Sequence, residues 1–435
     1  MRLRTIALAI FLSSCAAEQK PMAPAEQQPA SVESEASSVP VVDGPKLEEE
    51  RQEAAKPKPV VAGVESLVKS HTEFAFDLHK VMPSQNVVYS PYSIATVLGA
   101  VAVGADAETA SQLNSVLRLS PESANPALNR TLADILATRE RRGERGFRLK
   151  VANGMWVQQN FALATDFLRV TENEFLFTPK TIDFAQSDAA RASINTAVAD
   201  ATEQRIKDLI KPNVLGSLTR LVITNAVYFS APWRVPFQVA ATQDDTFSLL
   251  DGKAVSAPFM NQTGTFPYLR TDELEAIALP YAGDDVVAWI VLPNAKKFAD
   301  VDAALSSRRF AAITESARPE RVSVSLPKFE VRSSLDLKST LKTMGVVDAF
   351  DPNNANFTKM VQGKEPLYVS AFAHDGFIRV DEAGTEAAAA TAAVMTTRSL
   401  SPPSASFVAN RPFLMLIVDK TGEILFVTRV VNPLK

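Results

Sequence analysis

Cysteine is almost absent from this sequence, since Cys15 is the only one in 435 residues. No disulfide can form within the chain, so the fold must depend on packing and hydrogen bonds. The net charge of −4 gives no global attraction to nucleic acid or to anionic lipid. A hydrophobic fraction of 46% with 22% charged residues is nevertheless typical of a globular protein with a substantial core.

Catalytic motifs are also missing. The chain has no G-x-S-x-G elbow, no H-E-x-x-H and no G-x-G pair of a nucleotide-binding loop. Of its three histidines, His71 and His79 lie eight residues apart on one predicted helix, where packed or solvated histidines are the common case. A Ser-His-Asp arrangement through His374 stays open, because triads are defined by geometry. We therefore predict a protein that is not an enzyme and has no metal or cofactor.

The first residues are typical of a targeting segment. Arg2 and Arg4 precede a short apolar run that ends in Leu12-Ser-Ser-Cys15. The run is too short to span a bilayer, which indicates a cleaved signal peptide over 1–14. The tetrapeptide resembles the lipobox of bacterial lipoproteins, which implies lipidation of Cys15. The alternative is an ordinary signal peptide with a chance cysteine. The lipobox predicts a protein anchored to a bacterial membrane in the cell envelope, periplasmic or surface-exposed.

Residues 15–64 have the composition of a tether. The stretch contains seven prolines and no aromatic residue. It cannot bury enough apolar surface to offset the entropy of ordering, so we predict a flexible, extended linker. No second linker follows, and residues 65–435 are predicted to form one large domain.

The domain mixes helical and strand patterns without strict alternation, which favours an α+β fold. Helical spacing covers Glu65–Val81, Ser90 is placed to cap a long helix running into Ala110, and another helix is predicted from Asn195 to Ile210. Strand-like runs cover Leu221–Phe229, Glu275–Leu279, Val286–Leu292, Val322–Leu326, Phe413–Val418 and Ile424–Val430.

Six ordered motifs between residue 65 and the C-terminus resemble those of the serpins, the serine protease inhibitor family. They are Asn86-Val-Val-Tyr-Ser-Pro-Tyr-Ser-Ile94, Leu221–Phe229 with Trp233 and Phe237, Leu326-Pro-Lys-Phe329, Leu341–Phe350, Val380–Ala390, and Arg429-Val-Val-Asn-Pro433. Ala231-Pro232 stand where the family often has Gly-Lys, and Thr428 where Gly is common. Both departures concern packing and loops.

The resemblance implies the serpin fold, with mixed sheets including a large central one, about eight or nine helices, and an exposed reactive loop over about 382–406. It also implies a suicide-substrate inhibitor that forms a covalent complex with a trypsin-like serine protease at Arg398-Ser399 and acts as a monomer. The loop hinge would comprise Glu382, Gly384, Thr385, Glu386, Ala387, Ala388, Ala389 and Ala390. A non-inhibitory carrier or chaperone, or an inhibitor of broader protease range, is the alternative, and Val394 or Met395 could offer a second cleavage site.

The loop residues themselves permit insertion as a strand, although alanine-rich local propensity would predict a helix over Thr385–Met395. In a strand the small residues alternate onto one face, and Glu386 falls on the other, where a charge can reach water. No proline occurs between Val380 and Ser401, so the new ladder would lack no donor. Gly384 to Arg398 would span roughly 50 Å as a strand.

Two further groups of residues, a buried polar cluster and an arginine-rich stretch, are candidate functional features. Through the resemblance, Ser90, Ser93, Asn225, His374 and Trp233 are expected to form a buried cluster where the central sheet opens. An arginine-rich stretch from Arg139 to Arg148 leaves weak polyanion binding open, although Glu140 and Glu144 interrupt it and a charge run is usually a solvated face.

Overall fold

The computed structural model describes residues 63–140, 146–363, 365–386 and 402–435. The predicted signal peptide, Cys15, nearly all of the tether, Ala387–Ala390, Val394, Met395 and the Arg398-Ser399 bond lie outside these residues.

Nine α-helices occur in the described part of the chain. They are α1 (Val64–Val81), α2 (Pro91–Gly104), α3 (Ala107–Val116), α4 (Ala127–Glu140), α5 (Thr165–Glu174), α6 (Ser187–Ala201), α7 (Phe298–Ala303), α8 (Ser307–Ser316) and α9 (Leu337–Met344). Two 3₁₀ turns, Val239–Ala241 and Asp348–Phe350, accompany them.

The first sheet has six strands in the order β11-β13-β14-β5-β2-β4. Its members are β2 (Arg148–Gln158), β4 (Lys180–Ile182), β5 (Leu221–Pro232), β11 (Phe329–Asp336), β13 (Val369–Val380) and β14 (Gly384–Thr385). We call it the central sheet, since it receives the predicted hinge.

The second sheet has nine strands in the order β1-β17-β16-β9-β8-β7-β10-β15, with β6 paired to β7. They are β1 (Val87–Tyr89), β6 (Gln243–Ser248), β7 (Ala254–Arg270), β8 (Leu274–Pro280), β9 (Val286–Pro293), β10 (Arg318–Pro327), β15 (Ala405–Val408), β16 (Phe413–Asp419) and β17 (Ile424–Val430). A small pair joins β3 (Ala162–Leu163) to β12 (Val361–Gln362). Mixed sheets with nine described helices confirm the predicted α+β class.

Helix α2 lies between the two sheets, against β5 and β17. Nearly all of its side chains are buried, from Ile94 at its start to Val101 near its end. A helix that is apolar all round belongs in a core rather than at a surface. No helix among the described residues is long and apolar enough to cross a membrane.

The predicted long helix from Pro91 into Ala110 is wrong, because the chain breaks at Ala105 and Asp106 into α2 and α3. The Asp106 N–H donates to the carbonyl of Asn356 at 2.9 Å, and the Asn356 N–H donates to Thr109 Oγ1 at 3.0 Å. These tertiary bonds replace the helical ones that a continuous helix would make.

The helix predicted over Asn195–Ile210 ends at Ala201 instead. The side-chain amide of Asn195 binds both backbone groups of Ile210, accepting from its N–H at 2.8 Å and donating to its carbonyl at 3.0 Å. The chain therefore folds back along α6, and residues 202–220 form an irregular connection to β5.

Candidate functional site

The centre of the candidate site is the seam between β13 and β5. These strands pair in parallel from Val369 opposite Leu221 to Phe377 opposite Tyr228. Beyond that pair they separate, and β14 enters between them, antiparallel to both. The central sheet is thus closed along most of the seam and open at one end, where the predicted hinge occupies the gap.

The first hinge residues fit this gap closely. A Cβ on Gly384 would lie 2.1 Å from the Ala231 carbonyl oxygen, so a larger residue would push β14 off β5. Thr385 is fully buried, and its hydroxyl lies 2.6 Å from the Tyr281 hydroxyl. The backbone N–H of Trp233 donates to the carbonyl of Ala383 at 2.9 Å. The hinge is thus held by the Tyr281 hydroxyl at Thr385 and by the Trp233 backbone at Ala383.

Glu382 anchors the base of the loop. Its carboxylate lies 2.8 Å from Lys328 Nζ and accepts a hydrogen bond from the Thr242 hydroxyl at 2.7 Å. Burial opposes ionisation, but the hydrogen bonds from Lys328 and Thr242 outweigh it and hold the pKa of Glu382 below its usual value. An ion pair and a hydrogen bond therefore fix the chain at Glu382, in the turn between β13 and β14.

Glu386, the last described hinge residue, does not reach water in this state. It is buried, and the carboxylate lies 3.0 Å from Arg205 Nη1 without hydrogen-bond alignment. Burial raises the pKa of Glu386, against the attraction of Arg205 and Arg379. The expected outward orientation of Glu386 refers to the fully inserted strand, in which the backbone would be extended; here its φ is 44°, in the left-handed region.

The closed part of the seam carries a polar staple at the register pair His374–Asn225. His374 Nδ1 lies 2.5 Å from Asn225 Oδ1, and because that oxygen only accepts, the imidazole must donate. Asn225 Nδ2 in turn donates to Ser93 Oγ and to Asn153 Oδ1, each at 2.5 Å. Burial lowers the pKa of His374 to about 3, so the ring is neutral at ordinary pH. The staple ties both seam strands to α2 and β2.

The structure brings together Ser93, Asn225 and His374, with Ser90 beside them as the cap of α2. Trp233 lies elsewhere, beyond the end of β5. Its ring stacks on Tyr281 at 4.5 Å and its indole N–H donates to the Asp381 carbonyl, so Trp233 belongs to the hinge and not to the staple.

Four contacts of the site were missed in the sequence: Asn153, Arg205, Tyr281 and Lys328. The first could have been suspected, because a lone asparagine inside the strand run Val151–Trp156 is unusual. The others meet the hinge only through the tertiary fold; Tyr281 and Thr385, for example, are 104 residues apart.

The remaining histidines and Arg139 have structural partners. His71 Nδ1 lies 3.2 Å from the buried Glu423 carboxylate, and His79 lies 2.7 Å from Asp302. Arg139 forms an ion pair with the buried Asp419. His374 contacts an amide and is fully buried, so it does not form a Ser-His-Asp triad.

Comparison with known proteins agrees with this geometry. Residues 69–433 match the family model described as "Serpin (serine protease inhibitor)". A serpin-like protein of Thermococcus kodakarensis, itself uncharacterized, is 35% identical over 98% of this chain and 97% of its own length. Antithrombin-III of Mus musculus is 31% identical over 89% of this chain and 86% of its own length.

Solved structures show the same likeness. Native protease nexin-1, determined with heparin, has a TM-score of 0.75 and 32% identity, covering 85% of this chain and all of its own. Human thyroxine-binding globulin, determined in complex with thyroxine, has a TM-score of 0.76 and 25% identity, covering 86% of this chain and all of its own.

A central sheet that receives the predicted hinge between two of its strands, together with these matches, is typical of the serpins, whose members are in general inhibitors or carriers. The chain belongs to the serpin family.

Proposed function

We propose that this protein is an inhibitory serpin directed at trypsin-like serine proteases. The observation that carries the proposal is the seating of Gly384–Thr385 as a strand between β13 and β5. A loop that has entered the sheet by two residues is in position to continue by the same pairing.

The bait would be the Arg398-Ser399 bond, since arginine fills a protease pocket floored by a carboxylate. The protease serine would attack the Arg398 carbonyl and form an acyl-enzyme, with Ser399 as the new N-terminus of the released segment. Insertion of the freed loop would then carry the attached protease along the seam before water can hydrolyse the ester.

The energetics favour this order of events. Insertion breaks the parallel ladder of β13 and β5 and replaces it with two antiparallel ladders, which are slightly more stable per residue. At a net ~1 kcal/mol for each added backbone hydrogen bond, a dozen such bonds give a drive on the order of 10 kcal/mol. A misplacement of about 1 Å in the acyl-enzyme can slow its hydrolysis a hundredfold.

A carrier or chaperone function is the second candidate, because thyroxine-binding globulin has the same fold. The residues disfavour it here: the hinge has no proline, and its innermost side chain, Thr385, is small and uncharged. An inhibitor of broader protease range, using Val394 or Met395, stays a variant of the first proposal.

The test is incubation with trypsin followed by denaturing electrophoresis. We expect a covalent complex that survives denaturation and a fragment that begins at Ser399. Arg398→Ala should lose the complex and keep the fold, whereas Arg398→Lys, which trypsin also accepts, should retain it. Clean cleavage of the wild type with free active trypsin would make the protein a substrate and refute the inhibitory proposal.

We further propose that lipid on Cys15 anchors the inhibitor to a bacterial membrane in the cell envelope, with the domain on a tether. Several acyl chains on one cysteine would hold far more firmly than a single chain. Cys15→Ala should move the protein out of the membrane fraction, and Cys15→Ser is a second variant of closer shape. Unchanged fractionation of both would refute the anchor and leave the inhibitory proposal intact.

Polyanion binding between Arg139 and Arg148 is a secondary proposal, supported by the nexin structure with heparin. Arg139 is already paired with Asp419, so the binding would depend on the other arginines of the stretch. Replacing Arg141, Arg142 and Arg145 by alanine should lower retention on a heparin column; unchanged retention contradicts the proposal.

A further inference from the structure

The outer edge of the central sheet, where β2 meets β4, is only partly covered by a strand. β4 pairs with β2 over Trp156–Gln158 alone, and no other described strand lies beside β2 on that side. Over Arg148–Gly154, β2 therefore has a neighbouring strand, β5, on one side only. A strand edge of this kind presents unpaired backbone N–H and C=O groups, which can pair with another chain.

Two hydrogen bonds show which residues of β2 direct their backbone groups to the open side. The N–H of Leu149 donates to Glu140 Oε1 at 3.4 Å, and the N–H of Gln159, just beyond the strand, donates to a carbonyl of β4 at 3.0 Å. The ladder between β2 and β5 has no register shift, and in an antiparallel ladder the direction alternates from residue to residue. The backbone groups of Val151 and Asn153 therefore also face away from β5, where no described strand pairs with them.

This open edge faces a cavity of about 400 Å³ lined by α4, α6 and the segment that follows α5. Sites for small molecules commonly have volumes of roughly 300–1,000 Å³. The walls are mostly apolar, and the lining residues Phe147 and Trp156 are almost fully buried. Small side chains on the two helices leave room beside the strand; they are Ala133, Ala137, Ala197 and Ala201. A strand edge along one wall and apolar side chains along the others suit an extended backbone with small apolar side chains.

Charged groups lie at both ends of the open edge. At one end the Glu140 carboxylate accepts from Leu149 and lies 3.8 Å from Lys150 Nζ. At the other end Lys180, the first residue of β4, is exposed and lines the cavity. A chain running in the direction of β4 would bring its N-terminal ammonium to Glu140 and its C-terminal carboxylate to Lys180. Glu174 also lines the cavity, but it is only partly buried, so water and salt screen its repulsion of a bound carboxylate.

We propose that the open edge of β2 binds a short peptide with free termini and small apolar side chains, as an added strand parallel to β2. The outward backbone groups from Leu149 to Asn153 extend over about 13 Å at ~3.3 Å per residue, which about four peptide residues would cover. The site is separated from the β13–β5 seam by β5 and β2 themselves. It does not depend on the proposed inhibitory function.

The test is titration of the full-length protein with the peptide Ala-Val-Ala-Val, with free termini, followed by calorimetry. Lys180→Glu should weaken binding about fivefold and Glu140→Gln about threefold, as expected for partly exposed ion pairs. Amidation of the peptide C-terminus should remove the effect of Lys180→Glu, and acetylation of its N-terminus should remove that of Glu140→Gln. Lys342→Glu is the matched control, because Lys342 on α9 is exposed and does not line the cavity.

Strand pairing is tested on the peptide itself, so that the fold of the protein is not disturbed. An added strand directs the N–H groups of alternate residues to β2 and the others away from it. Peptides N-methylated at the second or at the third residue should therefore differ in affinity about tenfold. Equal affinities of these two peptides, or no binding of any peptide, would overturn the proposal. Unchanged or tighter binding to Lys180→Glu would do the same, since it would place the peptide elsewhere, such as the β13–β5 seam, or in the opposite direction.

Discussion

The β16–β17 pair and the β13–β5 seam are both buried, yet they are built from different residues. In β16–β17 the ladder is antiparallel and mostly apolar, with side chains such as Leu416 and Phe426 fully buried, and its polar residues Asp419, Thr428 and Arg429 lie toward the strand ends. The seam is a parallel ladder that carries Asn225, His374 and Asp375. Contacts between apolar side chains hold β16 to β17. The seam between β13 and β5 also carries hydrogen-bonding side chains, which could bond to other partners.

The two strand pairs differ in the new contacts that their residues could make if the strands separated. Apolar surface has no partner but other apolar surface, so opening β16–β17 would expose it to water at about 25 cal/mol per Å². Hydrogen-bonding groups in the seam can be satisfied by an inserted backbone. Under the proposed insertion mechanism, polar contacts along a minority of the seam would hold it closed and could be exchanged when the loop enters.

The largest expected effect comes from placing a charge in the gap. Thr385→Arg must bury an unpaired guanidinium beside Tyr281, at a cost of several kcal/mol. The covalent complex with trypsin should disappear while the protein stays folded, because the hinge can leave the sheet. The same substitution at Thr428 in β17, which is also fully buried, should prevent folding instead. Full trapping by Thr385→Arg would contradict entry through this gap.

A cavity in the β16–β17 pair should lower the stability of the folded protein. Phe426 is fully buried and lies 5.8 Å from Phe229, ring to ring. Phe426→Ala should lower the free energy of unfolding by about 3–5 kcal/mol, measured by urea denaturation. Leu218→Ala is the control, since Leu218 is 73% exposed. A loss below about 1 kcal/mol would show that β16–β17 is not the rigid half of the comparison.

Asp375 should destabilise the seam at high pH. Burial, only partly offset by Ser334, Lys211 and Arg332, raises its pKa from 3.8 to about 6. The folded state thus holds the proton more tightly, and this contribution to stability is lost as pH rises from about 4 through 6. Asp375→Asn should stabilise the protein by about 3 kcal/mol at pH 8 and by little at pH 4. A difference that does not vary with pH would contradict the raised pKa.

The contribution of His374 to stability should depend on pH in the opposite direction from that of Asp375. Its folded pKa of about 3 lies below the ordinary 6.5, so the native state resists protonation and loses stability as pH falls below 6.5. His374→Asn keeps a donor toward Asn225 without a titrating ring. Between pH 8 and pH 5 the variant should gain about 2 kcal/mol relative to the wild type. Parallel stability curves for the two proteins would show that the staple is not a buried neutral imidazole.

The smallest effect concerns the cap of α2. Ser90 Oγ accepts from the Ser93 N–H at 3.1 Å, and Ser90→Ala should cost about 1 kcal/mol in thermal or urea denaturation. Ser306 caps α8 in the same way, at 3.3 Å from the Arg309 N–H. Ser306→Ala should cost a similar amount but leave the yield of covalent complex with trypsin unchanged, whereas Ser90→Ala should alter it. Equal yields in both variants would show that the cap of α2 does not affect opening of the sheet.

The sequence alone determined the family, the α+β class and the strands whose pattern is mostly apolar. Ile424–Val430 was predicted with the observed bounds, because five of its seven residues are apolar and form a local signature. The cap at Ser90 was equally readable, since a Ser-Pro step is a local signal for a helix start. Cys15, the Arg398-Ser399 bond and Ala387–Ala390 were singled out by motif and stay predictions.

Tertiary structure decided everything that depends on partners distant in the chain. The helix break at Asp106 follows from a bond to Asn356, and the state of the hinge follows from Tyr281, Lys328 and Arg205. Alanine-rich propensity favours a helix from Thr385 onward, yet Gly384–Thr385 form a strand, because two unpaired strand edges offer more hydrogen bonds than a helix start. The local sequence sets the helix or strand propensity of a segment. The unpaired strand edges of β13 and β5 decide that Gly384–Thr385 form a strand.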